Sequence, residues 1–353
     1  MDREYYLDLA RRGLRFVIGA DLVLHEEPDP EQTRRDGRAL ASVVEKTARR
    51  QKTPLAFPLM DLRLEKLDLL QPLGLSESDA ESWKLAEPDE EIFRALRAAP
   101  SGFPEMNRAQ QASVRYIDEL TDLLPVGMAI GPFSLATKLM VDPISAVALA
   151  GGGAGPDEEP QVRLLTEMLA AAERAVLRSA KAQLQAGARA LLVCEPAANA
   201  VYLSPRQMRR GADIFERFVL APHRRLKQVL RDSSADLIFH DCGELTRDMV
   251  RAFAADLHPK ILSLGSSRKL WEDAAVAPKD VVLYGNLPTK SFYSDSAMPL
   301  EEVLRRTDEL VRRMKKAEHP HILGSECDVL WVEGAAETIR NKVETMLRHE
   351  VKP

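Results

Sequence analysis

The chain has 353 residues, of which 45% are hydrophobic and 29% charged, and its formal net charge is −5. That is enough apolar material for the core of one large α/β domain or two small ones. The negative balance sets aside nucleic acid and anionic membrane surfaces as partners, because neither is drawn to such a field.

The first residues, "MDREYYLDLARRGLRF", are charged and lack the apolar core of a secretion signal. No run approaches the roughly 18 apolar residues that cross a bilayer. Three cysteines are too few for a disulfide framework, and the odd number fits a reducing compartment. The expected location is therefore the cytoplasm. Basic runs such as "RRLK" (224–227) and "RRMKK" (312–316) sit inside helical patterns and read as solvated faces.

Eight short apolar runs read as strands: 14–19, 54–59, 125–130, 189–194, 235–240, 260–265, 281–285 and 320–325. Longer amphipathic stretches separate them, the pattern of a parallel sheet. Eight such units in a chain of this length predict a (β/α)8 TIM barrel over residues 1–353, a single domain. Helices are expected over 161–187, with Gly187 as C-cap, and over 206–232 and 299–317. Residues 61–124 are too long for one crossover and predict additional helices in the N-terminal third, with a loop at "RAAPSGFPEMN" (97–107). "GGGAGPDEEP" (151–160) is a flexible loop without the Gly-Lys-Ser/Thr of a phosphate-binding turn.

In such a barrel the chemistry sits where strands end. Those ends offer Asp61, "GPF" (131–133), Glu195, His240 with Cys242, Ser266, Asn286, and Glu326 with Cys327. His240 and Cys242 are two apart, so an extended segment points both to one side. Imidazole nitrogen and thiolate sulfur are preferred ligands of Zn2+, and Cys327 at the last strand supplies a third. Three protein ligands and one replaceable position describe a catalytic rather than a structural zinc. Spacing alone leaves the other reading open, in which the cysteines are small buried hydrophobes. Cys194, inside "ALLVCEP", is read that way.

"FHDCG" (239–243) followed by "GSECD" (324–328) resembles the His-x-Cys…Cys zinc motif of corrinoid-linked methyltransferases in the uroporphyrinogen decarboxylase superfamily. The methylcobamide:coenzyme M methyltransferases are the most similar group. "GPFSLATKL" (131–139), "AGARALLVCEPAANAVYLSPRQM" (186–208) and "LYGNLPT" (283–289) resemble other superfamily segments in the same order, so the resemblance covers about residues 10–350. It implies methyl transfer between a corrinoid of the methylcobalamin type and a small-molecule thiol, with His240, Cys242 and Cys327 holding Zn2+. No Asp-x-His-x-x-Gly run is present, so the corrinoid would arrive on a separate corrinoid protein. Where related cobalamin-independent methionine synthases place a glutamate ligand, this chain has Gly265 or Ser266. Glu195 is then the expected fourth ligand, with Glu326 and water as alternatives. A carboxylate paired with an arginine is the other reading of Glu195.

Asn286, Phe133 and Asp61 are candidate substrate-binding residues: Asn286 to orient the acceptor, Phe133 to line the corrinoid face, Asp61 at the decarboxylase aspartate's place. A turn-stabilising asparagine and a packed aromatic are their structural alternatives. Decarboxylation of a tetrapyrrole fits poorly, because the first strand region, "LRFVIGADLVLHEEPDPEQ", is acidic and lacks the superfamily's Arg-Gln-Ala-Gly-Arg pattern. Two alternatives remain open: a barrel that demethylates a small donor onto a corrinoid protein, and a non-catalytic barrel that binds a corrinoid or thiol. A homodimer is compatible with either.

Overall fold

The computed structural model describes residues 1–98 and 100–351. Ala99, in the predicted 97–107 loop, and residues 352–353, at the end of the expected domain, lie outside the described residues. Seven strands form one sheet: β1 (Leu55–Ala56), β2 (Leu124–Ile130), β3 (Ala190–Cys194), β4 (Asp236–Asp241), β5 (Ile261–Leu264), β6 (Val282–Leu287) and β7 (His321–Ser325). They lie in sequence order and every neighbouring pair is parallel. Helical segments connect them, so this is an α/β fold of repeated strand–helix units.

The eighth expected strand, 14–19, does not join as a ladder strand. Arg15 makes a single parallel bridge to Leu323 of β7, with Phe16 N donating to Leu323 O at 3.2 Å. The next amides bond side chains instead. Val17 N donates to Gln51 Oε1 at 2.7 Å, and Ile18 N to Ser325 Oγ at 3.1 Å. Toward β1 the contact is aromatic, with Phe16 stacked on Phe57 at 5.1 Å. Side-chain acceptors thus satisfy the donors that a closed eight-strand ladder would have used.

Alternation along the strands separates two cores. Val126, Met128, Leu192, Cys194, Ile238 and Ile261 pack together with Phe16 and Phe57 in one cluster. Their sequence neighbours Leu191, Val193, Leu237, Phe239 and Leu262 belong to the cluster beneath the helices. Cys194 is fully buried in the first of these, as its sequence context suggests. Gly324 leaves room for the ring of Tyr284, against which any Cβ would collide.

The helix Pro160–Gln185 covers the predicted 161–187 segment almost completely. It stops as expected: Gly187 has φ +106°, and Ala188 N returns to Gln183 O at 3.0 Å. The predicted 206–232 helix is interrupted instead. It runs Pro205–Arg209, breaks at Gly211 with φ +95°, and resumes through Glu216–Leu220 and Ala221–Asp232. The third, Leu300–Ala317, follows the sequence expectation. The 61–124 excursion folds into helices Leu64–Leu70, Glu77–Ser82, Glu90–Arg97 and Glu105–Leu120. Lys66 ties it down, its Nζ donating to the carbonyls of Glu81 (2.8 Å), Trp83 (2.7 Å) and Lys138 (3.2 Å). Residues 152–159 form the loop expected near 151–160, between helices Pro143–Gly151 and Pro160–Gln185. Among the described residues no helix is long and apolar enough to cross a membrane.

Candidate metal centre

His240 lies in β4 two residues beyond inward-packed Ile238, so alternation turns its imidazole to the same side. The backbone register places it between Cys194 of β3 and Ser263 of β5. Its Nδ1 is 2.8 Å from Ser263 Oγ, while its Nε2 is buried with no hydrogen-bond partner. Cys242 follows just past the end of β4, and Cys327 two residues past the end of β7. The ligating atoms of His240, Cys242 and Cys327 all lie within 4.8 Å of one another. Among the described residues no other trio of His, Cys, Asp or Glu comes this close.

The two thiols perturb each other. Cys242 is shifted down, first because Cys327 donates to it and then because Lys290 stands nearby, both against burial. Cys327 is pushed up to about 12, by Cys242 and by burial, with His240 opposing. Two sulfurs beside an orphaned imidazole nitrogen are a donor set matched to a thiophilic cation. Ser263 on the far nitrogen is the usual kind of partner that fixes a ligand imidazole.

Lys290 had no signal in the sequence. It follows β6, and its Nζ is 4.0 Å from Cys242 Sγ. Its backbone N donates to Glu326 Oε1 at 3.2 Å, and Ser266 Oγ donates to Glu326 Oε2. Glu326 therefore braces the loops after β5, β6 and β7. Gly265 packs so closely on Cys242 that a Cβ there would lie 2.6 Å from the Cys242 carbonyl oxygen. No side-chain ligand fits at that position.

The structure does not bring Glu195 to the trio. Its Oε2 accepts from Phe133 N at 3.2 Å and its Oε1 from Ser134 N at 2.5 Å, at the start of the helix Pro132–Lys138. His223 Nε2 lies 3.2 Å from Oε2. Burial raises Glu195 to about 7 against those amide donors, and lowers His223 to about 4. His223 Nδ1 is 2.8 Å from Val219 O, which leaves Nε2 as the nitrogen facing the carboxyl. Gly131 leaves the space this carboxyl occupies.

The other sequence candidates are also placed. Asn286 donates through Nδ2 to Gly265 O (2.7 Å) and Arg268 O (2.9 Å), stitching β6 to the loop after β5. Phe133 is fully buried and meets Tyr202 edge-on, with ring centroids 6.1 Å apart. Asp61 is clamped by Arg63, whose Nε and Nη2 donate at 2.8 and 2.7 Å. Burial raises the Asp61 carboxyl, but Arg63 and Arg34 outweigh it and hold it low. Sequence reasoning missed Asp241, which lies between His240 and Cys242. It is fully buried, burial pushes its carboxyl well up, and Oδ2 has no partner.

The family description "Uroporphyrinogen decarboxylase (URO-D)" matches residues 111–348, which include the whole trio. The chain belongs to the uroporphyrinogen decarboxylase family. Among solved structures it resembles a methyltransferase from Methanosarcina mazei, with a TM-score of 0.64 and 15% identity over 98% of each chain. That likeness is one of fold. A putative vitamin-B12 independent methionine synthase from Listeria monocytogenes aligns over 80% of this chain and 85% of its own, with 12% identity and a TM-score of 0.42. No curated protein matches the chain. Within this family of enzymes, the His240–Cys242–Cys327 trio gives the chain a donor set at the ends of β4 and β7.

Proposed function

We propose that this family member is a zinc-dependent methyltransferase that moves a methyl group from a methylated corrinoid to a thiol. The observation that carries the reading is the buried, unpartnered His240 Nε2 facing two cysteine sulfurs. His240, Cys242 and Cys327 would hold the zinc, and the whole chain acts as one barrel domain around it. When bound, zinc lowers the pKa of a coordinated thiol, so that it is a thiolate near neutral pH.

The chain's own residues do the rest. Ser263 fixes the imidazole ring by its Nδ1 hydrogen bond. Lys290 places a positive charge beside Cys242 and offsets part of the negative charge of two cysteinates. Glu326 holds the Lys290 backbone and Ser266, which keeps the mouth in one shape. In the transfer an S–C bond forms on the acceptor and the carrier's cobalt–carbon bond breaks. The electron pair of that bond stays with the corrinoid.

A carrier protein fits the surface at this end. Val141, Val201, Tyr293, Leu330, Trp331 and Val332 are exposed, and all lie in segments that follow β2, β3, β6 or β7. Exposed apolar residues of this kind favour association. Decarboxylation of a tetrapyrrole has less support, because Asp61 is already bound by Arg63 and Arg34 stands close by.

Metal analysis of the purified protein tests the reading. The expected result is about one zinc per chain, the occupancy of a single three-ligand site. His240→Ala, Cys242→Ser and Cys327→Ser should each lose it, together with methyl transfer from methylcobalamin to a thiol. Zinc retained in Cys327→Ser would break the trio and the reading with it.

A further inference from the structure

We propose a second ligand site on the outer flank of the barrel, a cavity that takes an aliphatic chain ending in an anionic head, a carboxylate or a phosphate. It lies between segment 14–19 and the helices Gly37–Gln51 and Ala336–Arg348, and it is independent of the methyl-transfer reading.

The segment that fails to complete the ladder forms one wall of this space. Phe16 and Ile18 pack into the inner cluster, whereas Val17 between them joins the cluster beneath the helices. His240 shares the inner side with Ile238, so Val17 faces away from the metal centre. Val17 N is held by Gln51 Oε1 at 2.7 Å rather than by a neighbouring strand, and both residues line the cavity. Its volume is about 860 Å³, within the range of sites that take small organic ligands.

The lining is of two kinds. Val17, Val23, Val343 and Leu347 give it aliphatic walls, and no aromatic side chain lines it, so the ligand body is a chain rather than a stacked ring. Against these stand five cationic side chains and only two carboxylates, Glu26 and Glu344. Glu26 is already shared: Arg50 reaches it at 2.6 Å, Lys46 at 3.1 Å and Arg340 at 3.2 Å. Glu344 takes Arg348 at 3.3 Å.

Arg15 is the half-buried cation left without a carboxylate. Its Nη1 donates to the carbonyl oxygens of Met346 and His349, which anchors the guanidinium to the end of the last helix. Among the described residues its Nε and Nη2 have no acceptor. Burial lowers its pKa, and no anion opposes that. Desolvating a guanidinium without a counter-charge is costly, and two free N–H donors on one edge match two oxygens of a carboxylate or phosphate.

Isothermal titration calorimetry of the full-length protein tests the site, with octanoate, octyl phosphate, 1-octanol, octylamine and acetate as probes. Octanoate or octyl phosphate should bind roughly tenfold or more tightly than the alcohol, the amine or the short acid, the scale of a charge-assisted hydrogen bond. The tighter of the two identifies the head. Arg15→Met should weaken that anion about tenfold and leave 1-octanol unchanged. Because Arg15 also caps the last helix, Leu347→Glu is a second variant. It adds a negative charge to the wall and should weaken the same anion. His240→Ala should bind the anion as the unaltered protein does; binding lost there would place it on the metal centre and overturn the site. Equal binding of 1-octanol or octylamine would overturn the anionic head. No heat from either anion would overturn the cavity as a ligand site, and thiol transfer would stand in every case.

Discussion

Two buried polar groups of residues stand at neighbouring strand ends, and they differ in what surrounds an unpaired imidazole nitrogen. At the end of β3, Glu195 receives two backbone amides and faces His223. At the ends of β4 and β7, His240 has one nitrogen on Ser263 and the other on nothing, beside two sulfurs. The first arrangement gives its carboxyl two amides and closes the start of a helix, while His223 Nε2 stands 3.2 Å away without a hydrogen bond. The second is complete only with a further atom. What separates the two sites is that two sulfurs converge on His240, whereas His223 faces one carboxyl already held by amides.

The sharpest break in this comparison is Glu195→Ala. Two buried amides lose their acceptor, so the protein should lose about 3 kcal/mol or more, measured by denaturant unfolding. Its zinc content, by contrast, should equal that of the unaltered protein. Loss of zinc in a folded Glu195→Ala variant would erase the distinction between the two sites.

A second buried carboxyl sharpens the architectural side through pH. Glu65 is fully buried, accepts from Ser179 Oγ at 2.7 Å, and is raised by burial to about 7 from 4.5. Its folded pKa exceeds its unfolded one, so its contribution is full below pH 4.5 and is lost as pH rises through 7. Glu65→Gln should remove that slope and gain at pH 8, relative to pH 4.5, up to roughly 3 kcal/mol. Parallel unfolding curves at the two pH values check it, and an unchanged slope counts against the assignment.

The smallest effect belongs to the metal side. Ser263→Ala removes the group that fixes the His240 ring and leaves all three ligands in place. Zinc affinity should fall by roughly 10- to 100-fold, by competition with a chromophoric chelator. Thermal stability of the metal-free protein should change little beside that. Equal affinity would mean that the ring is held by packing alone.

Much of this was legible in the sequence, for reasons tied to particular residues. The apolar runs of β2 to β7 stand out because a strand covered on both faces needs nonpolar side chains on both. Residues 14–19 are just as apolar, yet they give one bridge. Gln51 and Ser325, distant in sequence, take the amides, and composition does not reveal that. Gly187 was readable as a helix end, because a residue after a helix with positive φ favours glycine. Gly211 breaks the 206–232 segment by the same preference, hidden inside an otherwise helical pattern.

Sequence alone determined that His240 and Cys242 share a side, because alternation in an extended chain is local geometry. It also supplied Cys327 as a residue of the right chemistry at a strand end. Only the tertiary structure decided that the three atoms converge within 4.8 Å, since that depends on β4 and β7 curving toward one mouth. It likewise moved Glu195 to a helix start and Asn286 to a backbone stitch, and put Lys290 beside Cys242. The physical reason is range. Strand parity and helix caps are set by neighbours a few residues away, whereas the pairing of a buried polar atom is settled by whichever donor or acceptor the fold brings to it.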